Sequence, residues 1–127
     1  MTQGLILFAH GARDPRWAEP FIDLAARIAA QRPHVALRLA FLEFMTPDLA
    51  TAAAELVAAG CTRVDLVPVF LGSGGHVRKD LPRLLDELRV QYPGVAFTLH
   101  AAIGENPTVL QAMADATVTL LGREAEA

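Results

Sequence analysis

The chain has 127 residues, of which 53% are hydrophobic and 20% charged, and its formal net charge is −3. This length suits one domain with a packed core, and the composition excludes a disordered segment. The eleven Lys and Arg residues are scattered, which argues against a nucleic-acid-binding surface. Neither a run of roughly 20 apolar residues, as a membrane span needs, nor a signal peptide is recognisable. We therefore predict one cytoplasmic domain over residues 1–122 and a polar, frayed tail at 123–127.

Four short apolar runs predict β-strands that are covered on both faces. They occupy residues 4–9, 34–44, 63–71 and, more weakly, 95–103. Pro68 conflicts with the third strand, because proline cannot donate a ladder hydrogen bond. Cys61, the single cysteine, excludes an internal disulfide and is expected to be a small buried residue.

A helical period of apolar residues follows each predicted strand. Their shared faces are Trp17, Phe21, Leu24 and Ile28; Leu49, Ala53 and Leu56; Leu81, Leu84, Leu85 and Leu88; and Leu110, Met113, Thr117 and Leu120. Three helix starts are predicted where a capping residue precedes proline, at Asp14, Thr46 and Asn106. The alternation predicts an α/β fold, a small doubly wound parallel sheet of about four strands with helices on both faces.

Polar residues follow the predicted strands directly, at the edge where an open parallel sheet binds ligands. The candidates are His10, Arg13, Glu43, Gly72, Ser73, Gly74, Gly75, His76, Arg78 and Lys79. Each has an ordinary structural explanation when it is taken singly. Because several loops bring such groups to one edge, a functional site is the simpler interpretation. His34 and His100 fall away from this crevice, and we expect structural roles for them.

The residue types at this edge limit which kinds of ligand and reaction the site can support. The stretch GSGGHVRKD lacks the Gly-Lys-Ser/Thr ending of a Walker phosphate loop, and Ser73 does not lie in a Gly-x-Ser-x-Gly elbow. Two imidazoles with a carboxylate suit a borderline divalent metal such as cobalt, nickel, iron or zinc. Because two histidines leave the coordination sphere incomplete, the metal is expected to be handed on rather than held permanently.

The segments ILFAHGARDP, FLEF and VPVFLGSGGHVRKDLP resemble the short, single-domain sirohydrochlorin chelatases of the CbiX type, over about residues 5–106. The resemblance places the two family histidines at His10 and His76 and the family glutamate at Glu43. Ala12 stands where the family usually has serine. The resemblance implies a homodimer that inserts a divalent metal, Co²⁺ most of all but also Fe²⁺ or Ni²⁺, into a carboxylate-rich tetrapyrrole without ATP, for cobalamin or siroheme synthesis.

On this resemblance, His10 and His76 bind the metal and assist in removing pyrrole protons, and Glu43 is a base or proton carrier. The cations Arg13, Arg78 and Lys79 are expected to bind the substrate carboxylates. The loop of Gly72, Ser73, Gly74 and Gly75 is expected to leave room for the flat macrocycle. The metal is thus a substrate, and we expect no permanently bound cofactor.

Two other functions use the same residues. A metal or tetrapyrrole carrier would bind without catalysing, and turnover separates it from a chelatase. A regulatory domain that binds phosphate or a nucleotide would use the glycine-rich loop and Arg78. A purely structural module would leave the convergence of His10, Glu43 and His76 unexplained.

Overall fold

The computed structural model of the protein describes residues 2–72 and 74–122, with the side chains of His76 and Arg78 outside the description. Four strands form one parallel sheet: β1 (Thr2–Ala9), β2 (Ala36–Phe41), β3 (Cys61–Pro68) and β4 (Ala96–Leu99). They lie in the order β2-β1-β3-β4. The predicted parallel α/β fold with helices on both faces is confirmed. The tail predicted at 123–127 lies outside the described residues.

Four α-helices connect and flank the strands: α1 (Glu19–Gln31), α2 (Leu49–Ala58), α3 (Gly75–Gln91) and α4 (Pro107–Leu121). Short 3-10 helices at Pro15–Ala18 and Ile103–Glu105 precede α1 and α4. Among the described residues, no helix has both the length and the apolar character needed to cross a membrane.

The predicted helix starts have three different outcomes. Asn106 caps α4 as predicted, and Asp14 caps the 3-10 helix that leads into α1. The prediction for Thr46 is wrong, because α2 begins only at Leu49 and is capped by Asp48. The Thr46-Pro47 peptide is cis, and the Pro47 carbonyl accepts a hydrogen bond from Phe41 N at 2.9 Å. This segment therefore pairs with the end of β2 instead of starting the helix.

β1 ends at Ala9 as predicted, whereas β2, β3 and β4 end earlier than the apolar runs predict. β2 ends at Phe41 rather than at residue 44, and Phe44 has a left-handed φ of 65°. β3 ends at Pro68, so the residue that cannot donate a ladder hydrogen bond is the last residue of the strand. The next residue, Val69, donates to the Phe8 carbonyl at 2.7 Å and so continues the pairing with β1.

One face of the sheet is covered by α2 and α3, which enclose the main hydrophobic core. This core includes Ile6, Phe8, Leu56, Val64, Leu66 and Leu85, each no more than 1% exposed. Cys61 is buried here as predicted, and burial raises the pKa of its thiol. On the opposite face, α1 covers β2 through Phe21. The ring of Phe21 lies against that of Trp17 in the preceding 3-10 helix, with centroids 4.5 Å apart. The apolar residues of α4 are mostly exposed.

Candidate functional site at the carboxyl edge of the sheet

The loops after β1 and β2 are joined by main-chain hydrogen bonds. Leu42 N donates to the Ala9 carbonyl at 2.9 Å, and Glu43 N donates to the His10 carbonyl at 3.0 Å. These bonds extend the parallel ladder past the end of both strands. His10 and Glu43 are both exposed, so two functional groups predicted from distant segments lie on neighbouring backbones at one edge.

Gly11 allows this close approach of the two loops. Its φ is +91°, a left-handed conformation that side chains rarely adopt, and a Cβ at this position would overlap the Glu43 carbonyl. Because both the conformation and the packing require glycine, residue 11 fixes the distance between the loop that carries His10 and the loop that carries Glu43.

The imidazole of His10 stacks on the ring of Phe70, with centroids 4.2 Å apart and planes inclined by 29°. Phe70 is only 6% exposed and packs edge-on against Phe8, with centroids 6.1 Å apart. Its carbonyl accepts a hydrogen bond from Gly104 N at 2.8 Å. The exposed imidazole therefore rests on a buried aromatic base that is tied to the loops after β3 and β4.

Arg13 follows His10 in the same loop, and its guanidinium carbon lies 5.0 Å from the centroid of the Phe44 ring. This cation–π contact links the β1 and β2 loops a second time. Both residues line an open, largely apolar cavity of about 550 Å³, together with Ala12 and Met45. The cation is thus exposed on the rim of an apolar surface and close to His10 in the chain.

The glycine-rich segment leads from β3 into α3. Gly74 is the N-cap residue of α3 and provides no side-chain cap. Gly75, His76 and Arg78 belong to the first turn of the helix, and Lys79 follows with an exposed side chain. Ser73, and the side chains of His76 and Arg78, lie outside the described residues, so their predicted roles stay predictions.

The start of α3 lies beside the loop that carries Glu43. Val77 of α3 and Leu42 line the same narrow crevice of about 20 Å³, and Phe8 is among the other residues of its wall. Leu42 directly precedes Glu43, and Phe8 packs against Phe70. The fold therefore gathers the loops after β1, β2 and β3 at one edge, as the sequence predicts.

Contacts with the described residues do not require the glycines of this segment. A Cβ at Gly72, Gly74 or Gly75 would have no described atom within 4 Å, and none of the three has a positive φ. Open space around all three is the condition for a ligand to approach the backbone closely. Gly11, in contrast, is required by the fold itself.

Of the other two histidines, His34 lies where the sequence predicts and His100 does not. His100 follows β4 directly, so it lies at the carboxyl edge after all. Its Nε2 lies 2.8 Å from an Asp65 carboxylate oxygen, and Gln3 Nε2 donates to the other oxygen at 2.9 Å. Burial acts to raise the pKa of Asp65, but the hydrogen bonds from His100 and Gln3 outweigh it, and the pKa is lowered. His34 lies before β2, at the opposite edge.

Among the side chains that the structure describes, no three His, Cys, Asp or Glu residues form a group able to hold a metal. His76 is outside that set, so of the three predicted metal-handling groups the described part of the site contains the His10 imidazole and the Glu43 carboxylate. Such a pair can bind an ion and move protons, but it does not complete a coordination sphere.

The model of the CbiX protein family matches residues 4–119. This chain belongs to the CbiX family. A sirohydrochlorin cobaltochelatase of Saccharolobus islandicus (strain L.S.2.15 / Lassen #1) is 35% identical over 72% of this chain and 73% of its own length. A crystal structure of a CbiX protein from Marinobacter aquaeolei VT8 is 34% identical, with a TM-score of 0.83 over 96% of this chain and 99% of the other.

A longer protein of known structure shares the fold. The sirohydrochlorin chelatase SirB from Bacillus subtilis subspecies spizizenii, solved in complex with cobalt, matches with a TM-score of 0.80 at 22% identity. The match covers 94% of this chain but 51% of SirB. This chain therefore corresponds to about half of that protein.

Several residues that shape the site escape sequence analysis. Phe70 belongs to an apolar run like any other, and nothing local indicates that it supports His10. Phe44 is equally unmarked before its left-handed conformation is seen. Only Gly11 carries a signal, because a glycine directly after a strand often marks a tight or left-handed turn.

Proposed function

We propose that this chain is a sirohydrochlorin chelatase, which inserts a divalent metal, Co²⁺ before Fe²⁺ or Ni²⁺, into the tetrapyrrole without ATP in cobalamin or siroheme synthesis. The observation that carries the proposal is the joining of His10 and Glu43 by a main-chain hydrogen bond at the carboxyl edge. The cobaltochelatase of Saccharolobus islandicus supports it as a relative over nearly three quarters of the chain.

Metal insertion needs a partly dehydrated ion on one side of the macrocycle and acceptors for the pyrrole protons. The exposed imidazole of His10 offers a nitrogen to the ion while Phe70 holds the ring in place. In this proposal His76, in the first turn of α3, supplies the second imidazole. Glu43, exposed on the neighbouring loop, takes up protons. The metal is a substrate that leaves with the product.

Sirohydrochlorin is flat and carries many carboxylates. The open space at Gly72, Gly74 and Gly75 lets the macrocycle lie against backbone. We assign its carboxylates to Arg13, which is exposed beside the 550 Å³ cavity, and to the cations of α3. Arginine suits this role because its guanidinium binds a carboxylate through two parallel hydrogen bonds.

The chemistry is tested by anaerobic incubation with sirohydrochlorin and Co²⁺, followed by absorbance against a sample without protein. We expect His10→Ala and His76→Ala each to slow insertion by about 100-fold or more. His34→Ala is the matched control, since it removes an imidazole at the opposite edge of the sheet, and it should insert metal at the rate of the unmodified protein.

The same assay separates the alternatives. Pigment binding without acceleration by Co²⁺, Fe²⁺ or Ni²⁺ would replace the chelatase with a carrier. Absence of pigment binding would overturn both and favour a phosphate ligand at the glycine-rich loop. An equal loss of metal-insertion rate in His34→Ala and His10→Ala would show that the carboxyl edge of the sheet is not the site of metal insertion.

Recognition of the carboxylates is tested separately at Arg13. Arg13→Ala should weaken sirohydrochlorin binding roughly 10-fold to 100-fold, the effect of losing one charge-assisted hydrogen-bonded contact. Arg16 is a control on the same loop, because its guanidinium is already bound to Asp14 at 2.8 Å. Equal binding by the Arg13→Ala and unmodified proteins would remove Arg13 from the site.

We also propose that the active form is a homodimer. The supporting observation is that the chain corresponds to about half of SirB, whose single chain contains a further region of similar length. Multi-angle light scattering tests this directly, and a mass equal to one chain at the concentration of the activity assay would contradict it.

A further inference from the structure

Phe44 combines two features that are unusual for a large apolar side chain. It is the only non-glycine residue in the described chain with a positive φ, at 65°, and this conformation costs free energy for any residue with a Cβ. Phe44 is also 57% exposed, so burial of its ring in the core does not offset that cost. Strain of this kind is found where a side chain is held for a specific contact.

The turn that carries Phe44 is held on both sides. Met45 N donates to the Glu43 carbonyl at 2.8 Å, which closes the turn around Phe44. Glu43 N donates in turn to the His10 carbonyl, and the Glu43 carbonyl packs directly against Gly11. The direction in which Phe44 leaves the backbone is therefore fixed relative to the loop that carries His10.

The ring of Phe44 supports the guanidinium of Arg13. The guanidinium carbon lies 5.0 Å from the ring centroid, inside the distance of about 6 Å at which a cation–π contact is attractive. Among the described side chains Arg13 forms no ion pair, whereas Arg16, in the same loop, is bound to Asp14 at 2.8 Å. A guanidinium held against a ring face keeps its N–H edge available for an anion.

Arg13 and Phe44 lie on the rim of the open cavity of about 550 Å³, whose other walls are mainly apolar and include Ile22 and Leu39. This volume falls within the range of small-molecule sites, about 300–1,000 Å³. An apolar surface with a cation at its rim is complementary to a flat ring system that carries a carboxylate. Because Glu43 directly precedes Phe44, the cavity adjoins the groups that are proposed to handle the metal.

We propose that Phe44 is a positioning residue for Arg13. Its ring holds the guanidinium at the rim of the cavity, so that the N–H edge binds one carboxylate of the tetrapyrrole while the adjoining apolar edge of the macrocycle enters the cavity. The inference rests on the proposed function and deepens its account of substrate recognition. It gives Phe44 no part in handling the metal.

Binding of metal-free sirohydrochlorin, measured by absorbance titration, gives the first test. Phe44→Leu removes the ring but keeps an apolar side chain with a Cβ, and it should weaken binding about 3-fold to 10-fold. Phe44→Tyr keeps the ring face and should bind like the unmodified protein. In the insertion assay with Co²⁺, the loss in Phe44→Leu should appear as a higher KM for the tetrapyrrole with an unchanged kcat. Circular dichroism verifies that each variant folds.

A double-mutant cycle then shows whether Phe44 acts through Arg13. In an Arg13→Ala background, Phe44→Leu should weaken binding further by less than about 2-fold, because no guanidinium is left to position. In an Arg16→Ala background it should keep its full effect, because Arg16 is bound to Asp14 instead of to Phe44. An equal effect of Phe44→Leu in both backgrounds would overturn the proposal and show that the ring itself contacts the macrocycle.

The other outcomes separate this inference from the proposed function. Equal losses in Phe44→Tyr and Phe44→Leu, in a protein that still inserts metal, would remove the positioning role of Phe44 alone. A lower kcat with an unchanged KM would do the same, because it would place the ring in the insertion step. Unchanged binding by Arg13→Ala would overturn the inference as well. Failure of the unmodified protein to bind sirohydrochlorin would overturn both the inference and the chelatase.

Discussion

Gly11→Ala adds only one methyl group, but we expect it to disturb the site strongly. Gly60→Ala is the matched control. Both glycines have a φ of +91°, but a Cβ at Gly60 meets nothing within 4 Å, whereas one at Gly11 overlaps the Glu43 carbonyl. An alanine in the left-handed region costs about 1–2 kcal/mol. Reduced freedom of the unfolded chain returns about 0.4–1 kcal/mol. Gly60→Ala should therefore lower the free energy of unfolding by about 1 kcal/mol.

Gly11→Ala adds two further costs. The loop that carries Glu43 must move away, which resembles overpacking at about 1–3 kcal/mol. The hydrogen bond from Glu43 N to the His10 carbonyl, 3.0 Å long, is then weakened, which costs about 0.5–1.5 kcal/mol. We expect a total loss of about 2.5–5.5 kcal/mol, measured by urea unfolding. Metal insertion should also slow more than in Gly60→Ala, because His10 and Glu43 are separated.

The comparison refutes the reasoning if the two alanine variants lose equal stability and keep equal activity. That result would mean that the Glu43 loop accommodates the extra methyl group freely. A loss of stability at Gly11 with unchanged metal insertion would retain the packing argument and remove the spacing of His10 and Glu43 from the mechanism.

Three further outcomes are expected. Asp48→Ala should remove the cap of α2 and about 1 kcal/mol of stability in urea unfolding, while Asp48→Asn should retain most of it at neutral pH. Hydrogen bonds hold the pKa of Asp65 below 3.8, so its contribution to the free energy of unfolding is present above that pH and is lost as the pH falls through the lowered pKa. Asp65→Asn should therefore reduce the loss of stability in acid. An unchanged dependence of the free energy of unfolding on pH would contradict this. Phe70→Leu should lower the free energy of unfolding by about 0.5–1.5 kcal/mol more than the loss of buried apolar area accounts for. It should also slow metal insertion, and an unchanged turnover rate would contradict this.

The sequence by itself determined the alternation of strands and helices, and with it the parallel sheet. Apolar runs and helical periods are local properties, since they reflect the repeat of the backbone within one element. The placement of His10 and Glu43 directly after strands follows in the same way. Parallel strands bring their carboxyl ends to one edge, so the region of the site was predictable without contacts.

Side-chain partners and loop geometry were decided only by the tertiary structure. Thr46 and Asp48 are both capping residue types, and the pairing of Pro47 with the end of β2 selects Asp48. Phe70 supports His10 because β3 lies beside β1 in the sheet order β2-β1-β3-β4. Strand order depends on contacts between distant segments, which local periodicity does not encode.

The same distinction applies to α4. Its sequence predicts a helix whose shared face is Leu110, Met113, Thr117 and Leu120, and the structure leaves these residues exposed. Whether such a face is covered depends on where the helix leaves the sheet, and the close approach of Gly104 to the Leu71 backbone fixes that point. The helical period of apolar residues identifies the face of the helix that is apolar. Which other segments can pack against that face is determined by the tertiary structure.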